Sequence, residues 1–237
     1  LPLLEKAVAS APGYAAGHFN LGVALNETGE KARALDEFRA AVSARPDYFE
    51  AQSSLALALG EAGQSSEALT HFEAAVRLKP DSAEALCNLG QALAQFDQPQ
   101  AAMDRFRDAL RIKPGYPKAH AGLAAVLQQQ GRLADAIKEY QAALDANPDF
   151  AEAHSTLALA LAAAGDKTGA LAHVTAALRL KPDSFGIQMN AGNLLESLGE
   201  TKKAIASFEK ALALAQASGR TAEATELARI ISALRAR

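Results

Sequence analysis

From residue 15 onward, apolar side chains recur at spacings of three and four. Leu21, Val23, Ala24 and Leu25 form one stripe that ends at Thr28-Gly29, and Ala34, Leu35, Phe38, Ala41 and Val42 form a second. Such spacings put side chains on one face of an α-helix, so the pattern predicts two helices joined by a short turn. The same pair of stripes repeats down the chain. After the second stripe of each pair comes a proline: Pro12, Pro46, Pro80, Pro114, Pro148 and Pro182, each 34 residues after the last. Proline cannot continue a helix and keeps the residue before it out of helical geometry, so each one marks a break between helices. Arg77, Lys79, Arg111, Lys113, Arg179 and Lys181 precede these breaks, where a cation suits the negative helix end. Asp47, Asp81, Asp149 and Asp183 follow them and are expected to cap the next helix.

Between the two stripes stand Gly29, Gly63, Gly131, Gly165 and Gly199, with Asp97 in the same place once. A left-handed residue just past a helix end is expected there. Pro99 then falls at the first turn of a helix, where its missing N–H costs nothing.

A fixed period of this length is the mark of a stacked repeat array, in which each unit touches only its neighbours. The units are read as 15–48, 49–82, 83–116, 117–150, 151–184 and 185–218. Residues 1–14 read as the second helix of a further unit, which implies a natural chain that continues upstream. Residues 219–237 read as a capping helix with Ala224, Leu227, Ile231 and Leu234 on its apolar face. Small residues share columns across the units (Gly22, Ala56, Gly90, Ala124, Ala158 and Gly192, for example), and large ones fill others (Phe38, Phe72, Phe106, Tyr140, Val174 and Phe208). Small facing large predicts closely interdigitated helix pairs.

Composition narrows the function. Lys and Arg total 24 and Asp and Glu 27, a net charge of −3, which gives no broad field for nucleic acid or an anionic membrane. No apolar run is long enough to span a bilayer, and a cytoplasmic setting is expected. The lone cysteine, Cys87, excludes an internal disulfide framework. The sequence holds no phosphate-binding glycine loop and no nucleophile elbow, so it predicts neither an enzyme nor a cofactor. His18, His120 and His154 share one column but supply too few ligands for a metal. His71 and His173 are expected on the surface. Tyr14, Tyr48, Tyr116 and Phe150, which follow the prolines, are expected to pack the turns between units.

These columns resemble the tetratricopeptide repeat (TPR) family, whose unit of 34 residues carries a Leu-Gly pair, an aromatic, two alanines and a closing proline. The family's early Trp position holds His18, Gln52, Leu86, His120, His154 and Gln188, and Gln216 replaces the last proline. The resemblance implies an all-α fold, a right-handed α-solenoid superhelix of stacked antiparallel helix pairs, with the first helices lining a concave face. Carried onto this chain, that face presents Asn20, Glu27, Glu50, Ser54, Glu61, Glu84, Asn88, Gln91, Lys118, Gly122, Thr156, Asn190 and Asn193. Leu57, Cys87, Gln95, Glu152, Ser155 and Glu196 fall on the same lining. Its charges are mostly acidic, so the expected partner is a protein or peptide segment that is basic or neutral, held as on an interaction scaffold. Two alternatives stand beside this reading: a recognition module of a larger enzyme such as a glycosyltransferase, and an array that self-associates through its uncapped N-terminal helix.

Overall fold

A computed structural model describes residues 1–236, which form two compact bodies, residues 1–114 and 115–236. The first contains α1 (Pro2–Ser10), α2 (Ala15–Glu27), α3 (Lys31–Ala44), α4 (Phe49–Glu61), α5 (Ser65–Leu78), α6 (Ala83–Gln95) and α7 (Pro99–Ile112). The second contains α8 (Pro117–Gln129), α9 (Leu133–Ala146), α10 (Ala151–Ala163), α11 (Lys167–Leu180), α12 (Phe185–Ser197), α13 (Thr201–Ala217) and α14 (Thr221–Arg235). No strand occurs among the described residues. The chain is all-α, an α-solenoid repeat of antiparallel helix pairs. Within the first body α2 packs on α3, α4 on α5 and α6 on α7, and in the second α8 packs on α9, α10 on α11 and α12 on α13.

The turn inside each pair follows from its glycine. Gly29 has φ +85°, and Glu30 N–H bonds Leu25 C=O at 2.9 Å while Gly29 N–H bonds Asn26 C=O at 3.1 Å. These two bonds satisfy carbonyls that a helix end would otherwise leave unpaired. Asp97 takes the same left-handed conformation at φ +55°, and Gln98 N–H reaches Leu93 C=O at 3.0 Å. At the proline breaks the expected aspartate caps do not form. The capping position is the residue after each aspartate: Tyr48, Ser82, Phe150 and Ser184. The link is one residue longer than an aspartate cap needs, so only Ser82 and Ser184 accept a backbone N–H from the first turn. Where Gln216 replaces the proline, α13 runs to 17 residues, against 14 for α3, α5, α7, α9 and α11.

Ring against backbone sets the spacing of the pairs. A Cβ placed on Gly22 would lie 2.7 Å from the Phe38 ring, and one on Gly90 would lie 2.9 Å from the Phe106 ring. Gly192 faces Phe208 in the same way. Those rings are buried. At the end of the second body, Leu227, Ile231 and Leu234 of α14 join the core that holds Phe208 and Leu195. At the break before α4, Tyr48 packs its ring 5.2 Å from that of Phe19 on α2, under the guanidinium of Arg45.

Replacing Gly90 by Leu should overpack the α6–α7 pair and cost about 1–3 kcal/mol. Gly60→Leu, at a helical glycine with open space around it, should leave stability unchanged or raised. Urea denaturation of both variants checks the contrast.

Candidate peptide-binding face

The first helices of the first body carry a cleft. Along α4, Ala56, Leu57, Gly60 and Glu61 form one edge, and along α6, Asn88, Gln91, Ala92 and Gln95 form the other, with Phe72 beneath. The edge on α6 follows the i, i+3, i+4, i+7 rule for one helical face. The space between them is about 270 Å³. Leu57 is 48% exposed, a large apolar side chain left facing water on a first helix. Among the described residues neither Asn88 nor Gln91 makes a side-chain hydrogen bond, so both amides keep donor and acceptor capacity. Five of the residues expected on the lining, Leu57, Glu61, Asn88, Gln91 and Gln95, therefore meet in one place.

The others are spread more widely. Asn20, Glu27, Glu50, Glu84, Lys118 and Asn193 are exposed on their helices, and Ser54, Gly122, Thr156 and Asn190 are half-buried. Lys118 lies in a separate cleft of about 470 Å³ at the start of α8, beside Phe150, Glu152 and Lys181. The Thr156 hydroxyl donates to its own helix at Glu152 C=O, 2.9 Å away. Asn190 Nδ2 donates to Ser155 Oγ across α10 and α12 at 3.2 Å, so this amide is partly occupied by the fold. Cys87 and Ser155, expected on the lining, are buried instead.

The acidic character expected of this face is neutralised in part within the chain. Glu50 pairs with Lys79 at 2.8 Å, Glu61 with Lys31 at 2.7 Å and Glu152 with Lys181 at 2.6 Å. The Lys79 ammonium holds the Glu50 carboxyl below its usual range. Partial burial pushes the Glu152 carboxyl up, but Lys181 and a backbone N–H more than offset it, and it too lies below the usual range. Each lysine stands 29 or 30 positions from its glutamate, which hides the pairing from any count along one column. All three pairs are exposed and screened by solvent, so their role is to cancel charge more than to stabilise.

A second network lies at the family's Trp position. His18 Nε2 donates to Pro12 C=O at 2.9 Å, Gln52 Nε2 to Pro46 C=O at 2.7 Å, His154 Nε2 to Pro148 C=O at 3.0 Å and Gln188 Nε2 to Pro182 C=O at 2.6 Å. The far side of three of these side chains meets the second helix of the same pair: His18 Nδ1 lies 2.7 Å from Glu37, Gln52 Oε1 2.6 Å from His71 and His154 Nδ1 2.8 Å from His173. Since His154 donates through Nε2, its Nδ1 accepts from His173 Nδ1–H. His71 and His173 are thus half-buried partners in this network, not surface residues as the sequence suggested. Sequence reasoning saw the histidine column but not the carbonyl it serves. The constant offset of six residues from His or Gln back to proline was the available signal. No group of three or more His, Cys, Asp or Glu able to hold a metal occurs among the described residues.

Two family models described as tetratricopeptide repeat match the chain, one over residues 93–160 and the other over residues 1–49, 54–117 and 156–220. The chain belongs to the tetratricopeptide repeat family. Solved TPR structures share its fold. A thermophilic TPR protein of Thermus thermophilus is 25% identical, with a TM-score of 0.66 over 76% of this chain and 98% of its own. A TPR protein from Parabacteroides merdae reaches a TM-score of 0.79 at 19% identity, over 94% of this chain and 89% of its own. YrrB, described as a TPR protein with an unusual peptide-binding site, is 21% identical with a TM-score of 0.57, over 78% of this chain and 95% of its own. No curated protein matches. No helix among the described residues is long and apolar enough to cross a membrane. The TPR repeats of this chain make it a protein-interaction scaffold.

Burial lowers the proton affinity of His71, and burial with the nearby His154 lowers that of His173. The folded chain therefore binds protons at these sites less readily than the unfolded chain, and stability falls as pH drops below about 6.5. Urea melts between about pH 7.5 and pH 5 should show this loss, and the double substitution His71→Gln with His173→Gln should flatten it.

Proposed function

We propose that this chain is a non-catalytic scaffold that holds an extended segment of a partner protein on the face formed by its first helices. The observation that carries this reading is the cleft between α4 and α6, where exposed Leu57 lies beside the unengaged amides of Asn88 and Gln91. An apolar side chain of the partner packs on Leu57 and Phe72. The amides bond its main chain, offering both a donor and an acceptor without reading sequence. Because Lys31 and Lys79 offset Glu61 and Glu50, the favoured segment is close to neutral and contacts the helices mainly through apolar groups and backbone. The peptide-binding site described for YrrB supports the reading at the level of the shared fold.

The test is capture of a partner by the purified chain, followed by mapping of the retained segment as a synthetic peptide. The triple substitution Leu57→Ser, Asn88→Ala, Gln91→Ala should weaken that peptide by at least about tenfold while leaving the melting temperature unchanged. Affinity that survives the triple substitution places the contact elsewhere and removes this reading.

A further inference from the structure

The second helices of the second body frame a larger space. Leu171, Val174, Thr175 and Leu178 line up along α11, and Lys203, Ala206, Ser207 and Lys210 line up along α13. Both sets follow the i, i+3, i+4, i+7 rule, so two helical faces oppose each other across a cleft of about 500 Å³, floored by Leu195 and Gln188 of α12. That volume lies within the range of specific binding pockets.

Two substitutions in the repeat pattern account for it. Val174 occupies the column that holds Phe38, Phe72, Phe106, Tyr140 and Phe208 in the other units, so a ring is missing at this one place. Second, the equivalent gap between α3 and α5 is bridged by Arg39, which bonds Glu67 at 3.0 Å and Gln64 at 2.6 Å. The positions of Arg39 and Glu67 are taken here by Thr175 and Lys203, which cannot form that pair. The gap is left open, with Leu195 on its floor beside the Gln188 amide, which is already bonded to Pro182 C=O.

Its charge is one-sided. Lys203 and Lys210 stand two helical turns apart on the same face of α13, roughly 10 Å along the axis, and no acidic side chain lines the cleft. Lys203 pairs at 3.0 Å with Glu200, the residue before α13, in an exposed pair that solvent screens. Lys210 makes no ion pair among the described residues.

We infer that this cleft is a second docking site, distinct from the first-helix face, for an acidic amphipathic segment of a partner protein. A bulky apolar side chain of that segment packs on Leu171 and Leu178, over the buried Val174 that stands where the other units carry a ring. Carboxylates one turn on either side of it meet Lys203 and Lys210, a spacing that a helical segment provides. The apolar entry supplies affinity and the lysines fix orientation.

The probe is a fluorescent helical peptide with phenylalanine at its centre, a glutamate one turn before and one turn after it, and alanines elsewhere. Fluorescence anisotropy at low salt should show saturable binding to the full chain. Val174→Phe restores the ring found in the other units, so it should fold with a melting temperature at or above that of the parent and weaken the peptide by at least about tenfold. Lys203→Glu with Lys210→Glu should weaken it similarly, while the Leu57, Asn88, Gln91 triple substitution should leave it unchanged. Absence of saturable binding, or binding indifferent to Val174→Phe, overturns the inference. Saturable uptake of dodecanoate with no uptake of the peptide also overturns it and assigns the cleft to an anionic amphiphile.

Discussion

The contact between an aromatic ring and a backbone with no side chain in the way is what the rest of this structure depends on. Phe38 lies on Gly22, Phe106 on Gly90 and Phe208 on Gly192, each pair closing to a distance that a Cβ would obstruct. Because the ring and the glycine sit on the two helices of one pair, this contact fixes how near the helices come. That distance in turn sets where the neighbouring first helix can rest. Protein interiors transmit such constraints because they are packed as tightly as molecular crystals. Where the column changes, the surface changes with it: Ala56 replaces glycine opposite Phe72 beside the α4–α6 cleft, and Val174 replaces the ring beside the α11–α13 cleft.

A polar latch works alongside this packing. The proline that ends each second helix leaves its own carbonyl turned away from any helical partner. His18, Gln52, His154 and Gln188 each donate to that carbonyl from the first turn of the following helix. Histidine and glutamine are interchangeable here because both place an N–H donor at the end of a side chain of similar reach and keep a second polar atom for the partner helix. The latch therefore joins the break between units to the helix pair that follows it. Leu86 stands in this column in the third unit and cannot make the bond. There the first turn is held by the Ser82 side chain, which accepts from Ala85 N–H at 3.2 Å.

Much of this was legible in the sequence because it rests on period. The turn glycines, the exception at Asp97, the start of α7 at Pro99 and the ring column all follow from spacing alone. What period could not show were contacts between columns. Glu50 reads as a free acidic group until Lys79 is placed next to it, and Asp47 reads as a cap until the link to α4 proves one residue too long. Cys87 and Asn88 are adjacent in sequence, yet one is buried and the other borders the cleft, because α6 is packed on more than one side. A helix buried over a wide arc has a narrow free face, and family columns locate that face only to within a residue or so.

If ring-against-backbone packing governs the array, the pair that lacks a ring should be the one that opens most easily. Hydrogen exchange of the backbone amides in the second body measures this directly, since local opening free energy follows buried apolar contact. Amides in the middle of α11, built around Val174, should exchange faster than those of α9 around Tyr140 and α13 around Phe208. Protection of α11 equal to or greater than that of both neighbours would contradict it.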